Sequence, residues 1–331
     1  MPNKSFFYGP LLIILAAFLW SLDGFFRTDL RYSLPAINIV FWEHFLGFLI
    51  ISPIFIFQFK DIKKLQFRDW LIFALIGLFP SVIATLLYTA ALGQIFYAPL
   101  SIVVLLQQLQ PIWALLSAKI LLKEKLPPKF LLLAVIAMIG AYLITFRDLK
   151  INLATGDYTF YAGIFGLLAG AFWGLGTTLG RMQVTTVSSL LVTGFRFAFG
   201  TIFALVLMFL LPLLKPFLTI IPISLSSDLT SFNLDFNQFQ TLILIVFVVG
   251  LTPMIIYYFG LKNTQAKIAT ICELTWPASV FFIDMFYNFQ TKVWGFRGDI
   301  YSFTQIIGIC LLLTAIYLVS LSQKSKLENN G

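Results

Sequence analysis

Long, continuously apolar stretches separated by short polar breaks run through the whole chain. A helix that crosses the hydrocarbon core of a bilayer needs about 20 apolar residues. That ruler yields ten segments: 9–26, 36–57, 70–91, 97–121, 130–146, 160–179, 190–214, 242–260, 268–287 and 300–321. The segments are long and lack the period-2 alternation of membrane strands, so they read as helices rather than a barrel. The first follows Lys4 as a signal peptide would, but no small-residue cleavage site comes after it, so it reads as an uncleaved span. The pattern predicts an all-α, multi-pass membrane protein with ten transmembrane helices.

Composition narrows the function. Of 331 residues, 60% are hydrophobic and 11% charged, against about 25% charged in a soluble domain. A soluble enzyme, a disordered chain and a disulfide scaffold are excluded. Cys272 and Cys310 both lie in apolar segments, and His44 is the sole histidine, so neither a metal centre nor any other cofactor is expected. The net charge of +8 needs no nucleic-acid partner, because Lys and Arg in short loops orient a membrane protein. With a cytoplasmic N-terminus, 14 of the Lys and Arg fall on the inside and 7, Arg27 among them, on the outside, while Arg196 lies within a span. This bias predicts both termini in the cytoplasm and residence in the cytoplasmic (inner) cell membrane.

The chain also repeats itself. LAAFLWSLDGFF from Leu15 is echoed by LAGAFWGLGTTL from Leu168. Placing Trp20 on Trp173 is an offset of 153, which also puts Glu43 on Arg196 and Gly47 on Gly200. GLFP from Gly77 returns as GLTP from Gly250, and Pro111 matches Pro277, which sets Gln107 on Glu273. The unit is five spans. An odd unit must cross the membrane in opposite senses, which gives an inverted 5+5 repeat of residues 1–150 and 151–331. In transporters of that design the substrate site lies near the midplane between the halves.

The pairs LW at Trp20 and FW at Trp173, the FRF at 195–197, and the proline-centred LQPIWALLSAKILLKEKL and LTWPASVFFIDMF resemble the drug/metabolite transporter superfamily, and within it the EamA-like family. The resemblance covers nearly the whole chain. It implies ten helices with both termini inside, a central cavity lined by both halves, peripheral fifth and tenth helices, and export of metabolites such as amino acids. Two positions depart from the family pattern. Glu43, followed by His44, stands where an arginine is usual, and Gln290 stands where an acidic residue is usual after the ninth span, whereas Glu124 keeps it after the fourth.

Ionisable groups inside spans cost about 2.5–3.5 kcal/mol on insertion scales and mark function by default. Asp23, Glu43, His44, Arg196, Glu273 and Asp284 are the candidates. Glu43 and Arg196 read either as charged stations on a substrate path or as a structural ion pair. Arg196 suits a substrate carboxylate or other anion; Glu43 and Glu273 suit an amine or a coupled proton. His44 is a second proton-coupling candidate, although a lone histidine is more often a packed core residue. On the ninth span Glu273 and Asp284 share a face with Trp276, Pro277 and Val280, with Asp284 toward the outer end as a gate or interface residue. Gln107, with Gln108 and Gln110, makes the fourth span polar before Pro111, and Pro111 and Pro277 are hinge candidates. Trp20, Trp173, Tyr88, Tyr257 and Tyr258 offer aromatic walls, though packing accounts for most aromatic residues. Gly166, Gly170 and Gly174 read as a helix-packing stripe.

Without a GxxxxGK[ST] motif, ATP is not the direct energy source. The reading that follows is a secondary or facilitative transporter of small organic solutes, working by alternating access, with the bilayer and a small-molecule substrate as partners; a homodimer is left open. No catalytic residue is assigned, since GxGD, HExxH and GxSxG are all absent. The alternatives are a lipid flippase or other membrane binding protein and, a distant third, an intramembrane enzyme.

Overall fold

The computed structural model describes residues 5–23, 26–27, 30, 33–93, 103, 106–146, 149, 157–214, 232–287 and 302–328, the side chains of 5–7, 93, 157–159, 284–287 and 322–328 excepted. Among them every regular element is a helix. Besides two short helices at Pro53–Phe57 and Phe59–Ile62, they are in chain order α1 (Ser5–Trp20), α2 (Ala36–Ile51), α3 (Phe67–Leu92), α4 (Gln110–Leu121), α5 (Pro128–Thr145), α6 (Asp157–Val184), α7 (Ser189–Leu214), α8 (Phe236–Lys262), α9 (Ala266–Glu273), α10 (Thr275–Tyr287) and α11 (Phe303–Glu328). Among the described residues seven stretches are long and apolar enough to cross a membrane: α3, α5, α6, α7, α8, the joined α9–α10 over Ala266–Ile283, and α11 over Phe303–Leu321. The apolar helices Tyr8–Trp20 and Ala36–Ile51 are shorter. The span expected at 97–121 is described as helix only over Gln110–Leu121, and 94–102 lie outside the described residues.

Helix ends follow local chemistry. At the start of α8 the Asp235 carboxylate accepts from the Gln238 amide N–H at 2.8 Å, and the Gln238 side chain accepts from the Asp235 N–H at 2.9 Å. α3 begins where the Gln66 N–H donates to the Asp69 carboxylate at 2.9 Å. Pro128 opens α5 at a position that needs no N–H donor. Two helices carry wide π turns, Gly77–Ile83 in α3 and Ile245–Leu251 in α8, each at a glycine–proline signature, Gly77 with Pro80 and Gly250 with Pro253. A wide turn relieves the clash between a proline ring and the preceding carbonyl.

Packing joins the first half of the chain to the second. α2 lies along α7, α5 along α11 and α1 along α8, while α6 is held by both α3 and α4. The α2–α7 contact is reciprocal. A Cβ on Gly47 would come within 2.5 Å of the Phe197 ring, and one on Gly200 within 2.3 Å of the His44 ring. On α6 the glycine stripe brings Gly166 against the backbone of Val103, Gly170 against that of Gln107, and Gly174 against Gln110 and Ala114. The outward faces stay greasy, with Ile56, Phe57 and Phe67 about four-fifths exposed, as a lipid-facing surface requires. The α9–α10 stretch is the most enclosed, with 78% of its apolar window buried against 22% for α7. The helix carrying Glu273 is therefore central.

Candidate functional site

The middle of the molecule holds a cavity of about 210 Å³. Its walls come from α1, α2, α3, α6, α7, α8, α9 and α10 and from the polar turn that leads into α4. Glu43, His44, Gln107, Arg196 and Glu273 face it, as do Trp20, Trp173 and Tyr257, and both Pro111 and Pro277. The structure thus brings these ten sequence candidates to one space, with Asp23, Tyr88, Gln108 and Gln110 beside them, while Tyr258 is not part of the lining. The side chain of Asp284, the gate candidate, is not among those described, and Gln290 lies outside the described residues.

Glu273 ends α9, where the chain leaves helical pairing at Leu274 before restarting at Thr275. Its carboxylate accepts from the Gln110 amide at 2.6 Å, the Tyr257 hydroxyl at 2.7 Å and the Thr177 hydroxyl at 3.1 Å. Four separate segments converge on this one side chain. Gln110 reaches it because the fourth span is broken in the same way, with a turn at residues 108–109 just ahead of Pro111. Next to this cluster the Trp20 ring lies 5.2 Å from that of Tyr257, tilted by 53°. Across the cavity Trp173 and Tyr88 make a corresponding pair at 5.3 Å.

Arg196 is half-buried on α7. It donates at 3.3 Å to the Tyr258 hydroxyl and at 3.3 Å to the Pro80 carbonyl within the π turn of α3. Among the described residues no carboxylate lies within ion-pair distance of it. This decides one question the sequence left open: Glu43 is ion-paired, but to Arg27 and not to Arg196. Arg27 Nη2 meets Glu43 Oε2 at 2.9 Å, and Arg27 Nε meets Asp23 Oδ2 at 2.7 Å. The placement of Arg27 in an outer loop is corrected accordingly. It is 3% exposed and lines the cavity. The Asp23–Arg27 spacing of four residues, one helical turn, is the signal in the sequence that these two side chains can meet. Thr177 was also missed, since a threonine in an apolar helix carries no signal of its own.

His44 turns its Nδ1 to the Val40 carbonyl at 2.8 Å, and its ring packs on Phe197 at 5.4 Å. Although Glu43 and His44 point about 100° apart on α2, the cavity is wide enough for both to border it. No group of three or more His, Cys, Asp or Glu that would hold a metal occurs among the described residues.

A bundle of long apolar helices around a partly open cavity, with aromatic walls and a few charged, amide and hydroxyl groups, is the build of a solute transporter. The chain belongs to the EamA-like transporter family, which it matches over residues 7–146 and again over 161–321. It is 31% identical to the riboflavin transporter ImpX of Fusobacterium nucleatum over 314 residues, 94% of this chain and 97% of that one. A protein of known crystal structure, 15% identical, superposes with a TM-score of 0.68 over 96% of this chain and 97% of its own, and shares the fold.

Proposed function

We propose that the protein carries small, planar, polar organic solutes across the cytoplasmic membrane by alternating access, with riboflavin the first candidate. The observation that carries this reading is the makeup of the cavity. Two tryptophan–tyrosine pairs face it, and amide and hydroxyl groups gather around Glu273. Aromatic walls suit a flat ring system, and fixed donors and acceptors suit its polar edges. The likeness to a riboflavin transporter over almost the full chain supports the same substrate.

The mechanism rests on two five-span halves, 1–150 and 151–331, threaded oppositely with both termini in the cytoplasm. Three observations support this arrangement. The π turns occur at the two GxxP signatures. The Gly47–Phe197 and Gly200–His44 contacts exchange under the 153-residue offset. Both proline-bearing spans break just ahead of Pro111 and Pro277; in this reading those prolines are the hinges and Asp284 the gate. Glu273 with Gln107 and Tyr257, Arg196, and the rings of Trp20 and Trp173 contact the solute. Glu43 serves mainly as the counter-ion of Arg27, and His44 is the remaining proton-coupling candidate.

Arg196, which has no carboxylate partner among the described residues, favours a second reading, an amino acid or other anionic metabolite as the exported solute. Uptake of radiolabelled riboflavin and of a panel of amino acids into proteoliposomes, with and without an imposed proton gradient, decides between them. Saturable riboflavin uptake is expected. Uptake of amino acids alone would overturn the flavin reading.

A further inference from the structure

Arg27 has five N–H donors in a planar fork. Nε and Nη2 are spent on Asp23 and Glu43, at 2.7 to 3.0 Å. Nη1 is buried and meets no acceptor among the described residues. An unmet buried donor is destabilising, and this one belongs to a side chain 3% exposed on the cavity wall. Its orientation is not free, because two carboxylates clamp the other edge of the fork. The same cavity holds a second unmet group, Gln107 Oε1, an acceptor that is likewise buried without a partner. Two residues of the cavity lining thus each carry an unmet polar atom, one a donor and one an acceptor.

We propose that Arg27 is a substrate-recognition residue, and that Arg27 Nη1 and Gln107 Oε1 together read an uncharged imide edge, a carbonyl oxygen beside an N–H. This rests on the flavin reading and deepens it, since the pyrimidinedione ring of a flavin carries such an edge. A carboxylate ligand fits poorly here. It would satisfy Nη1 but offer no proton to Gln107, and it would set a third carboxylate beside a guanidinium already shared by Asp23 and Glu43. Charge balance at this corner selects a neutral carbonyl. Arg27 is thus a specificity determinant, while Asp23 and Glu43 position it.

The test compares binding of riboflavin and 3-methylriboflavin, whose imide nitrogen has no proton, to the purified full-length protein by flavin fluorescence quenching. Wild type is expected to bind the methylated compound about tenfold or more weakly, and Gln107→Leu to weaken riboflavin while abolishing the preference. Removing Arg27 alone would strand two carboxylates, so the arginine is tested with Asp23→Asn, Arg27→Met and Glu43→Gln combined, with thermal unfolding as the check on folding. A folded triple variant is expected to lose about tenfold in riboflavin affinity. If that variant binds riboflavin like wild type, or wild type ignores the methyl group, the inference falls. If wild type binds no riboflavin at all, the flavin reading falls, and uridine against 3-methyluridine decides the imide inference by the same criterion. Failure to bind uridine, or equal binding of the two, overturns it.

Discussion

The backbone of Gly200 on α7 lies directly under the imidazole of His44 on α2, so close that a Cβ would reach to 2.3 Å from the ring Cδ2. The ring cannot swing aside without giving up the 2.8 Å bond from its Nδ1 to the Val40 carbonyl. Gly200→Ala should therefore destabilise the protein despite the better helix propensity of alanine, which is worth about 1 kcal/mol. Overpacking costs typically about 1–3 kcal/mol, and a lower unfolding temperature in detergent is expected. Gly194→Ala on the same helix meets only side-chain ends of Ile54 and Phe55, at 3.0 Å and beyond, and should cost much less. Equal effects would mean that the α2–α7 seam is looser than its geometry.

Glu273 accepts three side-chain hydrogen bonds. Tyr257→Phe removes the 2.7 Å bond while leaving the ring against Trp20. The loss is on the order of 1 kcal/mol, so apparent substrate affinity should fall about fivefold with the unfolding temperature little changed. Glu273→Ala removes the shared acceptor of three donors and should abolish transport. Uptake kinetics alongside thermal unfolding separate the two effects.

Among the described residues Arg196 is held by two bonds of 3.3 Å, to the Tyr258 hydroxyl and to the Pro80 carbonyl. Arg196→Gln should leave the fold intact and reduce uptake by about tenfold or more. If folded protein is lost in the same proportion, the residue braces the π turn of α3 and does not handle solute.

Glu124 binds the start of α9. Its carboxylate accepts from the Ala266 N–H at 2.9 Å and the Lys267 N–H at 3.0 Å, while the Lys267 ammonium donates to the Lys125 carbonyl. Losing such a cap costs about 1 kcal/mol. In a Cys310→Ser background, Glu124→Ala should speed maleimide labelling of the buried Cys272 about fivefold. No change in rate would show that this tie does not govern opening at that end.

Long apolar runs made the helices readable, and repeated Trp, Gly and Pro pointed to the residues that now border one cavity. The sequence could also yield the glycine stripe on α6, because three glycines one turn apart have few other uses in a membrane helix. What it hid was partnership. Glu43 and Arg196 correspond under the offset, and that correspondence suggested a pair, yet the carboxylate is taken by Arg27, sixteen positions upstream. Proximity of that kind depends on how the α1–α2 connection folds back, for which hydropathy has no signal. Thr177 was silent for a related reason: its hydroxyl matters only because α8 and α9 bring Tyr257 and Glu273 to it.

The interruptions at residues 108–109 and at Leu274 give the two spans that carry them a mechanical property the continuous helices lack. A stiff rod through a bilayer must pivot whole, dragging both ends across the headgroups. A rod jointed at its middle behaves as two levers, and either can lean while the other stands. Reorientation of the kind proposed would then ask for a few backbone rotations at two knees, one of them next to Glu273, so that a grip on the cargo there would be coupled to the joint itself.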